Sequence, residues 1–250
     1  MSFEGKTVIV TGASSGIGLA TARAFKDKNA DVLMVARSKA RLQEISEEIN
    51  ARYIAIDVTA EGAAERIVGD AVMESGKIDV LVNSAGIIRS GSIMNTSIHE
   101  FDYMMDINLR SIFLLMQTAL PFLKESKGNI VNVSSVTGVR AFPNILAYCV
   151  SKAGLDHLTR CAALELAEFG VRVNAVNPGV VITSLHKESG MNDNQYEEFL
   201  EHSKSTHPLG RVGTPAEIAD LILFLASDKA LWITGETISI DGGRFLTCLR

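Results

Sequence analysis

Short apolar runs alternate with helical segments along the whole chain, and this alternation limits the possible folds more than any other feature. The runs at 7–10, 32–36, 53–58, 78–82, 130–134, 171–176 and 237–240 read as seven strands. Between them, 17–28, 39–50, 61–75, 100–125, 147–169 and 215–227 carry helical periodicity. Several runs are nearly uninterrupted in hydrophobicity, as suits strands covered on both faces. Strand-helix alternation predicts right-handed crossovers and an α/β, doubly wound sheet of seven mostly parallel strands flanked by helices. In such a sheet ligands bind at the carboxyl ends of the strands, near the topological switch point.

With 250 residues and 47% hydrophobic content the chain can bury a sizeable core. No linker, charge block or internal repeat divides it, so a single domain over 1–250 is expected. The net charge of -5 disfavours nucleic acid and anionic membranes, which need a basic field, and leaves small molecules as the expected partners. No segment approaches the length of a spanning helix and no signal segment is evident, so a soluble, cytoplasmic protein is expected. Cys149, Cys161 and Cys248 form neither a disulfide framework nor a metal-ligand spacing, and the five histidines are dispersed; no metal site is expected.

The candidate chemistry falls on the expected strand ends: Gly12 after the first run, Arg37 after the second, Asp57 in the third, Asn83 after the fourth, Ser135 after the fifth and Pro178 after the sixth. Taken singly, glycine, asparagine and proline merely end strands. Tyr148 and Lys152 are different: four residues apart on an expected helix, they share one face, where an ammonium favours the phenolate. An unperturbed phenol has a pKa of about 10, too high for efficient proton transfer near neutrality. Near the N-terminus, a β-branched run opens through Gly12-Ala-Ser-Ser-Gly16-Ile17-Gly18 into a helix, an arrangement that brings backbone amides to a pyrophosphate.

These motifs resemble the classical short-chain dehydrogenase/reductase family over essentially the whole chain. Thr11-Gly12-x-x-x-Gly16-Ile17-Gly18 is similar to its cofactor motif, Asn83-Ser84-Ala85-Gly86 to its Asn-Asn-Ala-Gly element and Pro178-Gly179 to its motif after the sixth strand. Asn108, Ser135, Tyr148 and Lys152 match its catalytic tetrad in identity, order and spacing. Ser84 departs from the pattern, standing where the family has its second asparagine. The resemblance implies a Rossmann-like domain, a nicotinamide cofactor, and an oxidoreductase acting on C=O and CH-OH groups. It gives Ser135 and Tyr148 the substrate oxygen, Lys152 the tyrosine and the nicotinamide ribose, and Asn108 a water between Lys152 and solvent. It also gives Asp57 and Val58 the adenine, and Thr183 the nicotinamide carboxamide.

Cofactor choice turns on the end of the second strand. An acidic residue there binds ribose hydroxyls and selects NAD, whereas an arginine accommodates the 2′-phosphate of NADP. Ala36 occupies the acidic position and Arg37 follows it, so NADP(H) is expected, with Ser14 adding a hydroxyl to the phosphate. Ser15 stands where some NADP-dependent relatives carry a second basic residue. Carbonyl (keto) reduction is therefore the expected reaction. An NAD-dependent alcohol or hydroxy-acid dehydrogenase and a catalytically silent nucleotide-binding protein are the alternatives.

The segment 184–213 is too long for a minimal connection and is expected to form a substrate lid, as it does in the resembling family. Val136, Phe142, Ile145, Leu146 and Leu185 suggest an apolar pocket, and Arg140 a contact for a carboxylate or phosphate. The tail from Arg244 to Arg250 is expected, by resemblance, to cross a subunit interface in a homotetramer.

Overall fold

The computed structural model describes residues 1–247. Strands β1 (Thr7–Thr11), β2 (Asp31–Ala36), β3 (Arg52–Ala55), β4 (Val80–Asn83), β5 (Asn129–Val133), β6 (Arg172–Pro178) and β7 (Thr237–Ile240) form one sheet in the order β3-β2-β1-β4-β5-β6-β7. Every neighbouring pair is parallel. Successive side chains of a strand point to opposite faces, so Val8 and Val10 enter one core and Ile9 the other. Helices α1 (Gly16–Lys26), α2 (Lys39–Ile49) and α10 (Pro215–Ala226) supply Phe25, Leu42 and Ile222 to the first core. On the other face, α3 (Ala63–Ser75), α5 (Ser111–Ser126) and α7 (Leu146–Leu166) contribute Ile67, Leu115 and Leu155. This double coverage is why β1, β4, β5 and β6 are buried along their whole length.

The chain winds outward from β1 to β3, then returns to place β4 on the other side of β1. The switch point between β1 and β4 opens a cleft above the carboxyl ends of the strands. The helix expected over 100–125 is instead three pieces: α4 (Ile98–Met105), a π-helical turn (Asp106–Arg110) and α5. The π turn lets the buried Asn108 side chain take both backbone groups of Ile87, accepting from its amide and donating to its carbonyl at 2.9 Å each. The third strand is shorter than the 53–58 expected, because Asp57 turns back to accept from the Thr59 amide and hydroxyl.

The expected lid segment contains α8 (Leu185–Glu188) and α9 (Asp193–Thr206), the latter capped reciprocally by Asn192 and Gln195. Among the described residues, no helix is long and apolar enough to cross a membrane, and no cluster of histidine, cysteine and carboxylate side chains could hold a metal. Cys149 and Cys161 are unbridged, and Cys248 lies outside the described residues.

Candidate active site

The loop after β1 is shaped by glycines that could not be other residues. Gly12 has φ +69°, and a Cβ there would lie 2.9 Å from the Ala85 backbone and the Ser84 carbonyl; a Cβ on Gly18 would collide with the Gly12 carbonyl. The first turn of α1 thus lies against the end of β1, and its N-cap Ser15 makes no side-chain bond to the helix amides. The amides are left for an anion at the positive end of the helix. Thr11 Oγ1 accepts from both the Ser84 and Ala85 amides at 3.0 Å, joining this loop to the one after β4. The turn carrying Ser84 in place of asparagine is thereby braced from β1.

Around this loop the cleft collects most of the expected cofactor residues: Ser14, Ser15, Gly16, Ile17, Arg37, Asp57, Val58, Ala85, Gly86, Pro178, Gly179 and Thr183 all line it. Arg37 is exposed at the end of β2 and forms no ion pair among the described residues. Burial pushes the Asp57 carboxyl up, but bonds from Thr59 and the charge of Arg37 outweigh it and hold the group below its ordinary value. Asn83 corrects the sequence reading. Its side chain is buried, donates to Asn132 Oδ1 at 2.9 Å, and forms no part of the cleft wall.

The β6 loop has a support that sequence reasoning missed. His207, buried at the end of α9, bonds through Nδ1 to the Ser203 carbonyl at 2.5 Å. A carbonyl can only accept, so Nδ1 carries the proton, and Nε2 accepts from the Val180 amide at 3.1 Å. Burial holds this imidazole below its ordinary pKa, which keeps it neutral and in that tautomer. An isolated histidine in Thr-His-Pro offers no local signal of this role.

Ser135, at the N-terminus of the short α6 (Val136–Val139), and Tyr148 and Lys152, on successive turns of α7, meet at the cleft. Lys152 Nζ lies 5.7 Å from the Tyr148 ring centroid and donates to the Val133 carbonyl at 2.8 Å. Burial pushes Tyr148 up to about 12, a rise that hydrogen bonding from Ser135 only partly offsets. Burial likewise pushes Lys152 down to about 8, against the pull of Asp156 one turn further along α7. The expected acidification of the phenol is therefore absent from the protein alone, because desolvating a phenolate costs more than this ammonium returns. Asn108 also differs from expectation. Its Nδ2 donates to the Ile87 carbonyl and to Ser151 Oγ (3.1 Å) and its Oδ1 accepts from the Ile87 amide, so the side chain braces the Gly86-Ile87 loop and does not face the cleft.

The whole cleft has a volume of about 870 Å³, and its end beyond Tyr148 is walled by Val136, Phe142, Ile145 and Leu185, as expected, and also by Met191 and Phe199 from the 184–213 segment. Leu146 is not in the wall. Arg140 is a further correction: its guanidinium donates to the Arg244 carbonyl at 2.8 Å and to Thr247 Oγ1 at 3.2 Å, and it is Arg244 that lines the cavity.

Known proteins resemble this chain along nearly its whole length. A family model described as enoyl-(acyl carrier protein) reductase matches residues 12–244. The chain is 39% identical to the 3-oxoacyl-(acyl-carrier-protein) reductase FabG of Thermotoga maritima, over 97% of this chain and 99% of that one. A short-chain dehydrogenase/reductase of unknown function from Caenorhabditis elegans, solved with cofactor, superposes with a TM-score of 0.94 at 38% identity, covering 98% of this chain and 97% of that one. The aldohexose dehydrogenase of Thermoplasma acidophilum does so with a TM-score of 0.89 at 34% identity, covering 98% and 96%. Matched over nearly its full length by the family model, by these relatives and by their folds, the chain belongs to the classical short-chain dehydrogenase/reductase family of nicotinamide-dependent oxidoreductases.

Proposed function

We propose that this oxidoreductase uses NADP(H) and works as a keto reductase, taking a carbonyl compound to a secondary alcohol. The observation that carries the reading is the meeting of Ser135, Tyr148 and Lys152 at a cleft whose far rim holds a guanidinium, Arg37, that is in no ion pair among the described residues. The name of the Thermotoga relative, a 3-oxoacyl reductase, points the same way.

The protein fits the cofactor. A cradle that a Cβ at Gly12 or Gly18 would fill, the uncapped amides of α1 and the cation at Arg37 suit a pyrophosphate and a 2′-phosphate. Gly12, Gly16, Ile17 and Gly18 would hold the pyrophosphate, Ser14 and Arg37 the 2′-phosphate, and Asp57 and Val58 the adenine. Ala85, Gly86, Pro178, Gly179 and Thr183 would hold the nicotinamide half, with the Lys152 ammonium on its ribose. When bound, the nicotinamide supplies or accepts the hydride.

The protein's own part is proton transfer. Ser135 donates to the substrate oxygen and Tyr148 delivers its phenolic proton there. A phenol held near 12 keeps that proton across the physiological range, so it is ready as the acid of a reduction. Asn108 acts as a positioning residue, holding Gly86 and Ile87 against Lys152. Segment 184–213 closes over the substrate as a lid, hinged beside Thr183, whose methyl group packs on Gly16.

Steady-state assays of a panel of ketones with NADPH and NADH test the reading: turnover with NADPH favoured is expected, and preference for NADH overturns the cofactor assignment. A cytoplasmic homotetramer completes the proposal. Exposed Phe113, Val150 and Leu164 on α5 and α7, and Leu231 and Trp232 near the edge strand β7, supply apolar surface for two kinds of contact. Light scattering that returned a single chain mass would reject the tetramer.

A further inference from the structure

The substrate end of the cleft brings together two cations, neither of which has an acidic partner among the described residues; Glu188, the carboxylate that also lines this part of the cleft, accepts from Ser184 Oγ. Arg140 follows α6 and Arg244 follows the Gly242-Gly243 turn after β7, yet both guanidiniums lie against one ring, with Cζ 5.5 Å and 5.0 Å from the Phe142 centroid. Neither belongs to any ion pair among the described residues. The nearby carboxylate of Asp241 is already used, accepting from the Gly243 and Phe245 amides at 3.0 Å and 2.6 Å. His186, close enough to feel Arg244, is held toward its neutral form by burial and adds no negative charge.

The two arginines are not equivalent. Arg140 is fixed by its bonds to the Arg244 carbonyl and to Thr247. The described hydrogen bonds of Arg244 all run through its backbone, so its five guanidinium donors are uncommitted among the described residues while the residue lines the cavity. Two like charges packed on one half-buried wall repel and lose hydration, a cost that an anion between them and the solvent would offset. Burial and the charge of Arg140 both hold the Arg244 guanidinium below its ordinary pKa, in keeping with a site that lacks its counter-charge.

We propose that Arg244, backed by Arg140, binds a carboxylate of the substrate, so that the preferred carbonyl substrates are oxo acids. The inference rests on the keto-reductase reading and narrows its substrate class. A planar guanidinium fork matches a carboxylate through two parallel bonds. Phe142, Ile145, Leu185, Met191 and Phe199 around it favour an aliphatic or phenyl-bearing chain between the carboxylate and the carbonyl.

The test compares kcat/KM for 2-oxo and 3-oxo acids, aliphatic and phenyl-substituted, with the same compounds as methyl esters. The wild type is expected to prefer the acid of the best pair by about 10- to 100-fold, the range that a charge-assisted bond supplies. Arg244→Gln is expected to reduce this acid-to-ester ratio by at least about tenfold, Arg244→Lys to restore part of it, and Arg140→Gln to reduce it less. Competition on the wild type gives a second measurement that needs no variant. Phenylacetate should inhibit at a concentration at least about tenfold below phenylacetamide. Equal use of acid and ester by the wild type, equal inhibition by the two phenyl compounds, or an unchanged ratio in Arg244→Gln overturns the carboxylate site. Turnover of esters without acid preference removes only this inference, whereas no turnover of any acid or ester with either cofactor removes the reductase reading beneath it.

Discussion

The ammonium of Lys152 stands 5.7 Å from the centre of the Tyr148 ring and bonds to the Val133 carbonyl rather than to the phenol. The phenol thus holds its proton more tightly than usual and the amine less tightly, shifts opposite in direction to those a solvated tyrosine-lysine contact would give. Burial decides this, because both side chains are nearly inaccessible to water.

If Tyr148 is the proton donor, Tyr148→Phe removes one hydroxyl from a site that otherwise keeps its shape. Its kcat should fall by at least about 10²- to 10⁴-fold, with the cofactor Kd and Tm close to wild type. Near-normal turnover by the variant would reject Tyr148 as the donor.

The pH dependence should carry the signature of Lys152. In the free enzyme its amine loses the proton near 8, whereas Tyr148 keeps its own until about 12. The kcat/KM for NADPH should therefore fall as pH rises through about 8, with no second loss before the phenol titrates; Lys152→Ala should abolish that fall. Stability follows by linkage. A lysine that binds its proton less tightly when folded makes stability rise from about pH 8 toward 10.5, and a tyrosine that binds it more tightly makes stability fall from about pH 10 to 12. Chemical denaturation across this range reads both signs.

Arg37 offers the only guanidinium lining the cofactor end of the cleft among the described residues. Arg37→Asp should lower the NADPH-to-NADH ratio of kcat/KM by about 10- to 100-fold, since it removes a charge-assisted contact and adds a repulsion. A ratio indifferent to the substitution would place NADP selection elsewhere.

Gly12→Ala forces a side chain into left-handed backbone and within 2.9 Å of the Ala85 backbone. Strain alone costs about 1–2 kcal/mol, and the contact adds to it. The expected result is a Tm several degrees lower with cofactor binding lost, measured by thermal unfolding and by titration with NADPH. Binding at wild-type affinity would show that the loop need not approach the β4 turn so closely.

Much of this site was legible in the sequence because its determinants are local. Apolar runs spaced by helical segments imply a mostly parallel sheet with two covered faces whatever their partners, and the sheet is covered on both; the order β3-β2-β1-β4-β5-β6-β7 within it came from the tertiary structure. Spacing of four puts Tyr148 and Lys152 on one helix face, and the glycines after β1 report a tight turn by residue type alone. Other features depended on segments far apart in the chain. Asn83 finds Asn132, Asn108 finds Ile87 through a π turn that periodicity does not announce, and Arg140 gives way to Arg244 because the turn after β7 returns to α6. The direction of the Tyr148 and Lys152 shifts belongs to the same group. Sequence by itself determined which groups could do chemistry and along which edge of the sheet; tertiary structure decided which of them face the cleft and which proton each keeps, because both depend on how much water distant elements exclude when they pack.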